Sequence, residues 1–233
     1  MRITKILLIV LVLFVAKAAA QEATERLPPH IRTTGEAVVT VKPDRAQINV
    51  GVVTQAESSQ AASAANAKQL EATLARLRQL LGANADIKTI SYTLNPNYRY
   101  PQEGGEPVIT GYTATNVVRV TIDDLTKVGQ VIDTATAAGA NRIQNLQFTL
   151  KNEIVVQAQA LQQAAVKARA KAEALAAALN LNITRIISVA ESSPAVIPMY
   201  DVAMTRAETA RTPIEPGTIE VRATVTLTVE VIR

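Results

Sequence analysis

Residues 109–127, ITGYTATNVVRVTIDDLTK, change their hydrophobic period part-way along, and that change decides the fold class. Thr110, Tyr112, Ala114, Asn116, Val118, Val120 and Ile122 fall on one face, and Thr113, Thr115, Val117, Arg119 and Thr121 on the other. This is the two-residue repeat of a β-strand. Beyond Asp123-Asp124 the apolar positions become Leu125, Val128, Val131, Ile132 and Ala135, the three-and-four repeat of a helix. A carboxylate at that junction can accept free amide hydrogens of the first helical turn and meet its positive end, so Asp123 or Asp124 is expected as the N-cap. The polar residues of the stretch thus read as scaffold. Tyr112 and Asn116 stand out as polar positions on the more apolar face; they need hydrogen-bond partners where buried, and they are the candidate ligand-orienting residues.

Upstream, Ala37, Val39 and Val41 alternate along one strand and Ala46, Ile48, Val50 and Val52 along the next, with Pro43-Asp44 as a turn signal between them. The pair predicts a hairpin. Ser58 or Ser59 can cap a helix carrying Ala67, Leu70, Leu74, Leu77 and Leu81, and Gly82 ends it. A strand with Ile90, Tyr92 and Leu94 on one face follows, and the Pro- and Gly-rich residues 95–107 predict a long hairpin loop. Tyr98 and Tyr100 on that loop are candidate contact residues, though ordinary surface tyrosines are the commoner case at a loop tip.

Downstream, Leu146, Phe148 and Leu150 mark a strand. A longer helix then carries a narrow seam of Ile154, Ala158, Leu161, Ala165, Ala168, Ala172, Leu175 and Leu179, expected to pack on the chain's own sheet, with a subunit contact as the alternative. Asn180 closes it, and residues 183–190 form another strand. Prolines 194, 198, 213 and 216 predict an irregular loop over 191–217, with one helical turn near 199–208. The last strand alternates Ile219, Val221, Ala223, Val225, Leu227, Val229 and Val231 with polar residues, so one face is dry and the other wet. A faint echo of helix, Gly or Asn cap and strand recurs, as in Gly82-Ala83-Asn84 and Gly139-Ala140-Asn141, and implies architecture only. The pattern predicts an α+β fold: antiparallel or mixed sheets with about three packed helices.

The ends supply the compartment. Met1 to Lys5 are basic, Ile6 to Val15 are apolar, and small residues follow to Ala20, which together describe a cleavable signal peptide over 1–20. The apolar run is too short for a membrane-spanning helix, so the mature chain is expected to have no transmembrane segment. Residues 21–34 read as a flexible N-terminal segment, and 35–233 as the α+β domain, divisible into two subdomains. With no cysteine there is neither a lipid attachment site nor a disulfide framework, and stability rests on a core. The precursor has 24 bases and 20 acids; Arg2, Lys5 and Lys17 leave with the signal peptide, so the mature protein is nearly neutral. That balance, with 3% aromatic residues, gives no nucleic-acid footprint. The absence of tryptophan and the two phenylalanines leave an outer-membrane barrel without its aromatic girdles.

Catalytic chemistry is hard to place. The single histidine, His30, lies in the N-terminal segment, and no cysteine is available as nucleophile or soft ligand. No catalytic residue, metal ligand or cofactor site is assigned, and Gly104-Gly105 belongs to no phosphate-binding pattern. A carboxylate-only mechanism survives on composition and would need two acids with shifted titration in one cleft.

Taken in order, GEAVVTVKPDRAQINVGV, DIKTISYTLNPNY, GYTATNVVRVTIDDLTKVGQVIDTATAAGANRIQNLQF, and AVKARAKAEALAAALNL with ISVAES resemble the SIMPL-domain family. That family includes bacterial periplasmic immunogenic proteins and oxidative stress defence proteins. The resemblance runs from about Gly35 to Ser192, departing at Leu179-Asn180-Leu181-Asn182 where a glycine would be expected. It implies a periplasmic or secreted α+β protein without a known cofactor, with relatives that assemble into closed rings or barrels and are linked to stress tolerance. It carries over no catalytic residue. The expected function is a non-enzymatic, self-assembling homo-oligomer with a binding or scaffolding role. The alternative is a periplasmic carrier of a small apolar ligand or lipid oriented by Tyr112 and Asn116.

Overall fold

A computed structural model describes residues 28–102, 104–199 and 214–233. The expected signal peptide lies outside the described residues, as does residue range 200–213, where most of the expected helical turn would fall. In chain order the elements are β1 (His30–Val41), β2 (Arg45–Ala56), α1 (Ser59–Leu81), β3 (Ile87–Arg99) and β4 (Val108–Ile122). A 3-10 turn (Leu125–Lys127), α2 (Val128–Ala137), β5 (Arg142–Thr149), α3 (Glu153–Ala178), β6 (Asn182–Met199) and β7 (Thr218–Ile232) follow. The fold is α+β, with three α-helices among the described residues and two wholly antiparallel sheets.

One sheet has the order β1-β7-β6 and the other β3-β4-β2-β5. The expected β1–β2 hairpin is therefore corrected: β1 pairs with β7, while β2 pairs with β4 and β5. Alternation specifies which face of a strand is dry and says nothing of which strand lies beside it. The linker between them is held by Asp44, whose carboxylate accepts from Lys151 N at 2.7 Å and whose own amide donates to Thr149 O at 3.3 Å. Three further boundaries move. β3 continues to Arg99 through the first residues of the expected hairpin loop, because Asn95 to Arg99 pair with β4. β1 starts at His30, inside the segment read as flexible, and Ile31 and Thr33 pair there with β7. β6 runs on to Met199 through the first part of the expected irregular loop; it accommodates Pro194 beside one of its register shifts and Pro198 on an edge strand.

The topology contains a repeat that the echo of caps only hinted at. β2-α1-β3-β4 and β1-α3-β6-β7 are both strand-helix-strand-strand units whose first strand neighbours the third and whose third neighbours the second. The first unit adds α2 and β5, with β5 on the outer side of β2.

Each unit buries its own helix face. Ile48, Val50, Val52, Val118, Val120 and Ile122 form a dry sheet face under Leu70 and Leu77 of α1 and Val128 and Val131 of α2. In the other unit β1 and β7 meet α3 through Ala160, Ala164, Ala168, Ala172 and Ala176, all buried. The expected α3 seam is corrected in phase: Ala168 and Ala172 belong to it, but Ile154, Leu175 and Leu179 are exposed. The cause is Gly35 on β1, where α3 comes so close that a Cβ would overlap the backbone of Ala164 and Ala168. Only a helix face of alanines fits such an approach. Thr33 Oγ1 donates to Ala168 O at 2.7 Å across the same contact.

The caps follow the sequence closely. Ser58 Oγ accepts from Ala61 N, Gly82 takes a φ of 98°, and Asn180 closes α3 at a φ of 54°. Of the two candidate aspartates, Asp124 caps the 3-10 turn that leads into α2, accepting from Thr126 N at 3.2 Å, while α2 itself starts after Lys127 without a side-chain cap.

Candidate functional site

Tyr112 and Asn116 lie on β4, on the face that packs under α1. Tyr112 stands between Ala56 of β2 and Pro96 of β3, and Asn116 between Val52 and Tyr92. Both are half-buried. Asn116 Oδ1 is buried without a hydrogen-bond partner among the described residues, so the expected satisfaction of this residue is incomplete. Nearby, the fully buried Asn66 of α1 donates from Nδ2 to Val52 O (2.8 Å) and Ala114 O (3.0 Å), tying the helix to two adjacent strands. Tyr92 and Ser63 share a 2.8 Å hydroxyl hydrogen bond beside them. Sequence reasoning passed over Asn66 because a polar residue at a core-facing helix position is visible only once the helix phase is known.

Two concavities lie elsewhere. Between α3, β6 and β7 a space of about 370 Å³ is floored by Ala172, Ile183, Leu227 and Val229 and rimmed by the Arg169–Glu173 ion pair. Neither Tyr112 nor Asn116 lines it. At one end of the four-stranded sheet, Asp86, Asp123 and Asp124 border a polar space of about 320 Å³ with Arg45 and Lys127.

The titration of these acids decides what they can do. Asp123 accepts from Arg45 Nε at 2.9 Å and has Lys151 Nζ at 3.4 Å, and the hydrogen bond from Arg45 holds its carboxyl below the usual carboxylate range. Asp86 is lowered by Lys88 and Thr121, and Asp124 by the Thr126 hydroxyl. A glycosidase-type general acid needs a carboxyl pushed upward. Here the acids move together in the opposite direction, as surface ion pairs and caps do. Their contribution to stability is complete above the ordinary carboxylate range near about pH 4 and is lost as pH falls through the depressed values. The melting temperature is expected to fall over that acid window and Asp123→Asn to flatten the fall; an unchanged slope in the variant would count against the assignment.

His30, at the start of β1, donates from Nδ1 to Pro28 O at 3.0 Å. Among the described residues no group of three or more His, Cys, Asp or Glu side chains is placed to hold a metal ion. No helix among them is long and apolar enough to cross a membrane.

Comparison with known proteins adds the following. The family model SIMPL, described as a protein of unknown function (DUF541), matches residues 31–229. A 26 kDa periplasmic immunogenic protein of Brucella melitensis biotype 1 is 27% identical over 175 residues, covering 74% of this chain and 70% of the relative. The uncharacterized protein YggE of Escherichia coli (strain K12) is 31% identical over 122 residues, 51% of this chain and 47% of that protein. YggE of Edwardsiella ictaluri is 28% identical over 151 residues, 63% of this chain and 61% of that protein. None of these names designates an enzyme.

Proposed function

The chain belongs to the SIMPL family, and from that premise we propose that it is a non-enzymatic periplasmic protein that self-assembles into a homo-oligomer. It acts by binding or scaffolding, in the service of envelope or oxidative stress tolerance. The observation that carries this reading is apolar surface left uncovered on a single copy and gathered on the β3–β4 hairpin: Tyr92 is 50% exposed, Tyr98 51%, Tyr100 72% and Ile109 47%. Soluble monomers rarely leave large contiguous apolar patches in water.

The sheet edges support contact through side-chain faces over strand addition. On β1, Lys171 Nζ donates to Thr34 O at 2.7 Å. The edge strands β3 and β6 contain Pro96, Pro194 and Pro198, and β5 is interrupted by Asn145 at a φ of 50°. Each is a device that discourages strand addition. Light scattering on the mature protein at micromolar concentration is expected to return a multiple of the chain mass; a strictly monomeric mass refutes self-assembly. Export is tested separately, by mass spectrometry of the periplasmic protein, with cleavage after Ala20 as the expected result.

A second reading, a carrier of a small apolar ligand or lipid, is favoured by one feature: the buried, unpaired Oδ1 of Asn116 on the same face as Tyr112. Organic extraction of the purified protein would then release a ligand, and changing Tyr112→Ala with Asn116→Leu would abolish its recovery. An empty extract from the unaltered protein would end this reading.

A further inference from the structure

Four of the chain's five tyrosines are gathered on one hairpin. Along β3, Tyr92, Leu94, Pro96 and Tyr98 recur at every second residue, which puts them on one face, and Tyr100 keeps the spacing just past the strand's end. Their cross-strand partners are Asn116, Ala114, Tyr112 and Ile109 of β4 in that order. Ala114 is fully buried beneath α1, so this is the helix-bearing face of the sheet. α1, however, lies over β2 and β4 and scarcely reaches β3. The file is left open: Tyr92 is 50% exposed, Tyr98 51%, Tyr100 72% and Ile109 47%. β2 ends at Ala56, opposite Tyr112, so the hairpin beyond that point is a two-stranded arm. Such a ribbon has few contacts of its own to hold it.

We propose that this tyrosine face is where one copy of the chain meets the same face of a second copy. The inference rests on the self-assembly reading above and names its surface. Two arguments select a second copy as the occupant. The exposed part of the file amounts to roughly 600 Å², at the upper limit for the largest patch on a typical monomer and most of the ~800 Å² that each partner brings to a standard interface. The face also contains no charged side chain; Arg99, opposite Val108, falls on the other side of the ribbon. Two such faces can approach without bringing like charges together, and tyrosine supplies both apolar contact and a hydroxyl for the rim.

The test is the solution mass of Y98D/Y100D, of Y100D alone and of V166D, with far-UV circular dichroism and melting temperature recorded for each. Val166, 62% exposed on α3, represents the rival surface. The expected result is a folded Y98D/Y100D with association weakened on the order of 100-fold, Y100D intermediate, and V166D assembled as the unaltered protein is. If Y98D/Y100D does not fold, Y100D decides alone. An oligomer that survives these tyrosine changes, or that is dispersed by V166D instead, overturns the surface assignment and leaves self-assembly standing. A monomeric unaltered protein overturns both.

Discussion

Gly35→Ala is expected to lower the unfolding free energy by about 4 kcal/mol, near the upper end for a single substitution. A Cβ at this position would overlap the carbonyl oxygen of Ala164 and the amide nitrogen of Ala168, and would stand 3.0 Å from Ala168 Cα. All are backbone atoms of α3, so no side chain can rotate out of the way. Relief requires the helix to lift from β1, and lifting it breaks the Thr33–Ala168 hydrogen bond and opens the alanine seam along Ala160, Ala164, Ala168 and Ala172. The methyl group added is small; the loss comes from separating two elements along their length. Urea unfolding at a fixed protein concentration measures it, since assembly would otherwise add to the apparent stability. A midpoint close to that of the unaltered protein would show that α3 does not sit on β1 this closely.

Asn66→Leu is expected to cost about 2–3 kcal/mol although it nearly conserves volume. Asn66 is completely buried, and its Nδ2 serves the carbonyls of Val52 and Ala114 on neighbouring strands. Leucine removes both donors and opens little cavity, so the polar contribution is isolated from packing. The unpaired Oδ1 of Asn66 is lost at the same time, which offsets part of the penalty. Asn66→Leu therefore distinguishes a polar tie between α1 and the sheet from a tolerated polar residue; a change below about 0.5 kcal/mol would favour the latter.

Local physics made much of the fold legible. The change of period between Ile122 and Leu125 marks the end of β4 and the approach to α2, and Asp124, Ser58, Gly82 and Asn180 act at helix ends as their side chains or permitted φ angles require. The wet and dry faces of β7 follow from alternation alone. Non-local facts were not legible. β1 and β2 alternate whether they pair with each other or with strands far along the chain, and a three-residue linker suits either arrangement. The α3 phase went wrong because leucines outrank alanines in apolar area, yet the surface opposite was a glycine backbone that excludes anything larger than alanine. Pro194 and Pro198 suggested a loop, but an edge strand has one side on which a missing N–H is harmless.

The candidate site was legible only in pieces. Tyr112 and Asn116 could be placed on one face of β4, and the register then sets Tyr92 and Pro96 beside them. The two-residue spacing of Tyr92, Leu94, Pro96, Tyr98 and Tyr100 was present in the sequence, but the asparagines and prolines around it read as loop. That α1 leaves β3 uncovered depends on where a helix settles across a sheet, which no local pattern states.

Asp44, Asp86, Asp123 and Asp124 serve as a linker tie, ion-pair partners and a cap, and His30 hydrogen-bonds Pro28, while the described surface of one copy leaves apolar and tyrosyl side chains uncovered. Native mass spectrometry of the mature protein tests this most directly, because it reads copy number and bound small molecules together. The account predicts an integer multiple of the chain mass with no additional mass. A single chain, bare or carrying a small apolar ligand, would contradict it.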